Sequence, residues 1–252
     1  MLPTPDTSHV PYARVYEPAE DSFLMLDTLG SASEKAFLHM RFAPQNSKMS
    51  PLVLEVGSGS GVVIAFLAAY AETIFGTRHV LTCAVDVNKF ACTATTETVK
   101  RSVEGQDMEL GSLTETAMFL GAVQGDLASC VRQGVVDVLV FNPPYVPTEE
   151  MPAAEPVQTA FEEDSRLLEL AYAGGKDGME TTDRLLEALP DLLSDRGLAY
   201  LLLCAGNKPE DVKERIRTLD GGPWRAETVG ESGRQAGWEK LQIIRIWRDL
   251  PR

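Results

Sequence analysis

From residue 51 onward, short apolar runs alternate with longer segments of helical periodicity. PLVLEVG (51–57), RHVLTCAVDV (78–87), AMFLGAVQGD (117–126) and VVDVLVF (135–141) are short and apolar, which predicts strands. Between them, SGVVIAFLAAYAETIF (60–75) and KFACTATTETVKRSVE (89–104) read as helices, the second with weak propensity because it is rich in threonine. SRLLELAYAGG (165–175) and METTDRLLEALPDLL (179–193) are further helices, and GLAYLLLCA (197–205) is a fifth strand. PEDVKERIRTL (209–219) carries a proline at its start, a helix-initiation signal. WRAETVG (224–230) and KLQIIRIWR (240–248), joined by the polar ESGRQAGWE (231–239), predict a closing antiparallel hairpin. Upstream, Phe23, Leu24, Leu26, Leu29, Ala36 and Phe37 give a partial stripe that predicts a helix over 21–42 with a break near Gly30. Residues 1–15 read as a flexible or extended arm, 104–116 as a polar surface insertion, and 43–51 and 146–164 as loops. Strands alternating with helices imply an α/β fold, a parallel sheet covered on both faces. Without a linker-like shift in composition, residues 1–252 read as a single domain.

Charge changes this picture more than composition does. The hydrophobic share of 44% is ordinary for a soluble globular chain, but the net charge is −14. That argues against unaided nucleic-acid binding and favours a cationic ligand or a neutral or basic protein partner. Cys83, Cys92, Cys130 and Cys204 form no CxxC pair, and Cys83, Cys130 and Cys204 lie in or beside apolar segments. Buried free thiols in a reducing compartment are expected. Three histidines without clustered ligands predict no metal site. No secretory leader or membrane-length apolar run is visible, so cytoplasm or nucleus is the default location.

The chemistry gathers at the strand ends. LEVGSGSG places Gly57, Gly59 and Gly61 between a strand and a helix, where glycine permits a sharp turn and close approach to a ligand. Glu55 ends the first strand, Asp86 the second, and Gly125-Asp126-Leu127 follow the third. Open α/β sheets bind ligands beyond the carboxyl ends of their strands. Singly, each acid is more plausibly a solvated residue or a helix cap. Together they describe a cationic ligand with a ribose and an amino-bearing base, which S-adenosylmethionine fits. A dinucleotide pyrophosphate would be opposed by the acids, and Val62 breaks the GxGxxG pattern.

The fourth strand ends in Phe141, Asn142, Pro143, Pro144 and Tyr145. Taken alone, this is a turn that stops a strand. Beside a methyl donor it becomes a holder for a planar nitrogen. Asn142 offers a side-chain carbonyl, and Pro143 offers a backbone carbonyl with no competing N–H. Pro144 stiffens the turn and Tyr145 offers a flat face. Catalysis would then rest on positioning and on acceptors for charge developing at nitrogen.

EVGSGSG (55–61), Asp86, GDL (125–127) and NPPY (142–145) resemble the class I S-adenosylmethionine-dependent methyltransferases of the HemK-like glutamine type. VYEPAEDSFLMLDTL (15–29), AGGKDG (173–178), PDLLSDRGLAYLL (190–202) and GRQAG (233–237) are similar to its eukaryotic release-factor branch. The resemblance implies a Rossmann-like seven-stranded sheet of order 3-2-1-4-5-7-6 with the last strand antiparallel, and no separate N-terminal substrate domain. Glu55, Gly57, Gly59 and Asp86 would hold the amino-acid and ribose parts of S-adenosylmethionine. Asp126 and Leu127 would hold adenine, Ser22 would fold over the cofactor, and Asn142 would bind the substrate amide. The product would be S-adenosylhomocysteine and a glutamine methylated in the Gly-Gly-Gln loop of the translation termination factor. A small zinc-binding activator would pair with the edge strand near Ala117–Val123. Adenine amino methylation on DNA or RNA, and protein lysine methylation, are the alternative readings of the same pocket.

Overall fold

The computed structural model describes residues 2–42, 44, 49–110, 116–152, 159–233 and 240–249. Residues 111–115 of the polar insertion, 153–158 of the long loop and 234–237 of GRQAG lie outside the described residues. The strands are β1 (Leu52–Val56), β2 (Leu81–Asp86), β3 (Met118–Gln124), β4 (Val136–Phe141), β5 (Leu193–Cys204), β6 (Trp224–Glu231) and β7 (Leu241–Arg248). They form one sheet in the order β3-β2-β1-β4-β5-β7-β6, with β7 antiparallel to both of its neighbours. The order is the one the resemblance implies.

The helices are α1 (Glu20–Leu29), α2 (Ala32–Phe42), α3 (Val62–Ala69), α4 (Ala71–Phe75), α5 (Lys89–Leu110), α6 (Ala160–Tyr172), α7 (Glu180–Leu192) and α8 (Pro209–Arg217). Alternation along β4 shows why the central strands are continuously apolar. Val138 and Val140 face a core shared with Met25, Leu29, Ile64 and Leu67. Leu139 and Phe141 face a second core with Leu185, Leu189, Val212 and Ile216. Side chains alternate across a strand, so a sheet covered on both sides needs apolar residues at nearly every position, and the buried exception in β4, Asp137, is held by Arg196 and Ser194. Each fully buried leucine or valine contributes about 1.5–3 kcal/mol relative to exposure. Every residue of α3 is buried, so this helix shows no polar face at all.

Four expectations change. The helix over 60–75 divides at Tyr70 into α3 and α4. The insertion is not all loop, because α5 runs through Gly105 to Leu110 on good helix formers such as Glu104 and Gln106. α6 begins at Ala160, inside the expected loop, on a capping box formed by Thr159 and Glu162. Cys130 is exposed, whereas Cys92 and Cys204 are buried and free.

The N-terminal arm also differs from the extended or flexible chain expected of it. Val10 and Val15 are buried and pack on Ala91 and Ala94 of α5. Tyr12 Oη donates to Thr7 O at 2.7 Å, which closes a turn. Among the described residues, no helix is long and apolar enough to cross a membrane.

One buried ion pair joins the N-terminal helices to the far half of the sheet. Arg245 of β7 donates to both carboxylate oxygens of Glu34 in α2, at 2.7 and 2.8 Å. Tyr200 of β5 donates to the same carboxylate at 2.7 Å. The guanidinium carbon lies 3.7 Å from the Phe37 ring centroid, and Phe37 meets Trp247 edge-on. Glu34→Ala leaves the Arg245 charge buried and is expected to cost about 3–5 kcal/mol. Tyr200→Phe removes one charge-assisted hydrogen bond and is expected to cost about 1.5–3 kcal/mol. Urea unfolding followed by tryptophan fluorescence ranks the two; equal losses would mean that the ion pair is not what holds α2.

Candidate active site

The carboxyl ends of β1, β2 and β4 open into a cleft of about 210 Å³. Its floor is the turn from β1 to α3. Gly57, Gly59 and Gly61 all have positive φ, at 65°, 51° and 78°. A Cβ on Gly61 would lie 2.5 Å from Thr95 Cα, so α5 presses directly on this glycine. A Cβ on Gly59 would meet no protein atom, which leaves that side of the turn open. Behind the turn, Thr98 Oγ1 donates to Ser60 O at 2.6 Å, and the Ser58 and Thr95 hydroxyls are 2.8 Å apart. The threonines that weaken α5 as a helix are thus the anchors of the glycine turn.

Glu55 and Asp86 are buried at adjacent strand ends. Glu55 Oε2 accepts from Ile64 N–H in the first turn of α3 at 2.9 Å. Asp86 accepts from Gly59 N–H at 2.9 Å and from Asn88 N–H at 2.8 Å. Burial pushes the Glu55 carboxyl well above the usual carboxylate range, and Asp86 adds to the rise. Burial also raises Asp86, against the lowering effect of its two backbone donors. Asn88 Nδ2 donates to Arg14 O at 2.6 Å, and this tie brings Val15 and Tyr16 of the arm into the cleft wall.

Asp126 and Leu127 also line the cleft, together with Gly125. The Asp126 carboxylate is exposed and ion-paired with Arg184 of α7. Leu127 adopts a left-handed backbone, φ 49°, which is uncommon for a residue with a Cβ. Ser22 is buried in the first turn of α1, facing the same space.

At the end of β4, Asn142 Nδ2 donates to the Asp21 carboxylate at 2.9 Å. Asn142 Oδ1 is buried and has no hydrogen-bond partner among the described residues. Pro143 and Pro144 line the cleft. The Tyr145 ring packs, partly buried, against the first core and is not among the lining residues. Its backbone carbonyl accepts from Asn207 Nδ2 at 3.0 Å. Gly174 and Gly178 of AGGKDG pack on the carbonyls of Pro144 and Tyr145, too close to admit any Cβ. The segment similar to the release-factor branch therefore clamps the turn after β4.

Asp21, Asn207, Thr95, Thr98 and Arg184 escaped the sequence reading, as did Leu167 and Leu170 of α6, which also line the cleft. Asp21 had one available signal, a second acid beside Ser22 at the start of an apolar helix. The others come from segments too distant in sequence to suggest a meeting.

No family model matches the chain. It is 36% identical over 251 residues to methyltransferase HEMK2 of Mus musculus, covering 97% of this chain and 96% of that one. It is 35% identical over 256 residues to the eRF1 methyltransferase catalytic subunit mtq2 of Schizosaccharomyces pombe, covering 98% and 96%. It is 29% identical over 171 residues to the release factor glutamine methyltransferase of Bacillus cereus, covering 66% of this chain and 50% of that one. The near end-to-end matches, together with a glycine turn and an NPPY turn that share one cleft, show that the chain belongs to the release-factor glutamine methyltransferase family of HEMK2 and the eRF1 methyltransferase catalytic subunit.

Proposed function

We propose that this chain transfers the methyl group of S-adenosylmethionine to the side-chain amide nitrogen of a glutamine, the one in the Gly-Gly-Gln loop of the eukaryotic termination factor. The observation that carries this reading is Asn142 Oδ1, an acceptor buried beside the cleft with no partner among the described residues. Such an atom costs about 1–3 kcal/mol unless something donates to it. A primary amide supplies the missing N–H. The reading is further supported by the relative named for eRF1 methylation. The net charge of −14 speaks against DNA or RNA as substrate.

The cleft suits the cofactor. Glu55 and Asp86 are buried acids with no buried cation beside them among the described residues, so a positively charged ligand would offset their desolvation. Glu55, Gly57 and Gly59 would face its amino-acid part, Asp86 its ribose, Asp126 and Leu127 its adenine, with Ser22 above. When bound, it supplies an electrophilic methyl on a sulfonium centre. Asn142 Oδ1 and the Pro143 carbonyl would accept the two N–H groups of the substrate amide. Pro144 and the clamped Tyr145 carbonyl would hold that turn still. Once methylated, the substrate nitrogen would be acidic enough to lose its proton to water without a base from these residues. Positioning supplies most of the acceleration, and no strong base is required.

We propose also that a small zinc-binding activator pairs with β3. This strand is at the sheet edge, and Met118, Leu120 and Val123 are exposed on it. An uncovered apolar edge promotes aggregation, which a paired partner strand prevents.

Three outcomes are expected. With labelled S-adenosylmethionine, the intact termination factor takes up label and its Gln→Ala variant does not; Asn142→Ala enzyme binds cofactor normally but loses about 10²-fold or more in kcat. Label on both factors, or on nucleic acid or lysine alone, sinks the reading. Cofactor affinity is expected to strengthen as pH rises above the usual carboxylate range, because the raised Glu55 and Asp86 must ionise to favour a cation. The same ionisation is unfavourable to the free fold, so the stability these raised groups contribute at low pH is lost as pH rises through their folded pKa values. Calorimetry at several pH values reads the affinity trend; a flat profile removes these acids from the cofactor site. Leu120→Glu is expected to weaken the activator complex by about tenfold or more in a pull-down titration, leaving cofactor affinity unchanged.

A further inference from the structure

Asp21 lies in the first turn of α1 and is 4% exposed. Its Oδ1 accepts from Ser22 N–H at 2.6 Å and from Ser22 Oγ at 3.3 Å. Its Oδ2 accepts from Asn142 Nδ2 at 2.9 Å. The two residues are 121 positions apart, so only the tertiary fold brings them together. Both line the cleft.

The chemistry of this contact has a direction. A carboxylate accepts and never donates, whereas an amide has one donating end and one accepting end. Facing a carboxylate, Asn142 can present only its NH₂. Its Oδ1 must then point the other way, where it is buried and unpartnered among the described residues. Without such a neighbour the amide could turn over at little cost, and a turned amide would offer N–H to a substrate that itself needs an acceptor.

We infer that Asp21 is a positioning residue that holds the Asn142 amide in its acceptor orientation. The inference rests on the reading of Asn142 as the acceptor for the substrate amide. Asp21 in turn is held by Ser22, whose N–H and hydroxyl occupy the other carboxylate oxygen. The EPAEDSF segment therefore reaches the reacting group through Asn142, in addition to covering the cleft.

Asp21→Asn makes the distinction measurable. Ser22 N–H keeps the oxygen of the new amide on its side, so the new NH₂ faces Asn142. Asn142 must then turn over, and its own NH₂ faces the substrate. With the full chain and its activator, kcat on the termination factor is expected to fall about 10²-fold, with cofactor Kd unchanged within about threefold. The exchanged pair, Asp21→Asn with Asn142→Asp, restores an acceptor facing the substrate and is expected to recover about tenfold over Asp21→Asn alone. A purely structural role would lower thermal stability in step with kcat, whereas a turned amide lowers kcat alone.

A third measurement needs neither variant activity nor substrate. In the wild-type protein with nitrogen-15 asparagine, the Asn142 side-chain amide, identified by its loss in Asn142→Ala, is expected to exchange slowly with water and to speed up in Asp21→Asn. Wild-type turnover in Asp21→Asn, no recovery in the exchanged pair, or a loss confined to cofactor affinity each overturns the inference. So does a rapidly exchanging Asn142 amide in the wild type, which decides the matter should Asp21→Asn not fold. Failure of the wild type to label the glutamine overturns the substrate reading instead, and the amide exchange still decides the contact.

Discussion

A buried carboxylate can only accept hydrogen bonds, and the site is assembled on that one-sidedness. Glu55 takes its donor from the first turn of α3, Asp86 from the glycine turn and from Asn88, and Asp21 from Ser22 and Asn142. Each acid fixes a neighbour whose geometry matters more than its own. Glu55 fixes where α3 begins, Asp86 fixes the glycine turn against β2, and Asp21 fixes which end of the Asn142 amide is spent as donor. Charges buried this deeply are costly unless paired. Here backbone and side-chain dipoles offset part of the cost, and the remainder favours a cation in the space between them.

The sheet delivers these acids to one place. Parallel strands β1, β2 and β4 end side by side, so side chains separated by thirty or more residues converge within a single cleft. The same parallel geometry explains the continuous apolar runs, because each central strand is covered on both faces. It explains α3 as well, a helix wholly enclosed by α1, α5 and the sheet. The turn after β4 is rigid for a different reason. Asn207 and the glycines of AGGKDG hold its carbonyls from outside the cleft, so they need not be near the chemistry to shape it.

Strand identity was legible because burial on both faces leaves a strand almost wholly apolar, whereas strand order came from the family resemblance. The glycine turn was legible because positive φ at three successive alternate positions has few other solutions. The ends of helices were read less well. α5 continued past its expected stop, and α6 began at Thr159-x-x-Glu162, a capping signal overlooked inside a polar stretch. The arm read as loose because its proline content hides two valines, Val10 and Val15, that find a surface only once α5 exists.

The residues alone determined the class of ligand and the class of acceptor, since three acids at strand ends and an Asn-Pro-Pro turn after an apolar strand each carry their chemistry locally. They could not show that Asp21 faces Asn142, that Thr98 holds Ser60, that Asn207 holds Tyr145, or that Tyr145 turns toward the core. Those contacts join separate segments, and nothing in the local spacing of either partner encodes the other. Hydrophobic periodicity specifies which face of each element is buried. Which polar atoms then meet at the ends of those elements follows only from how the layers pack.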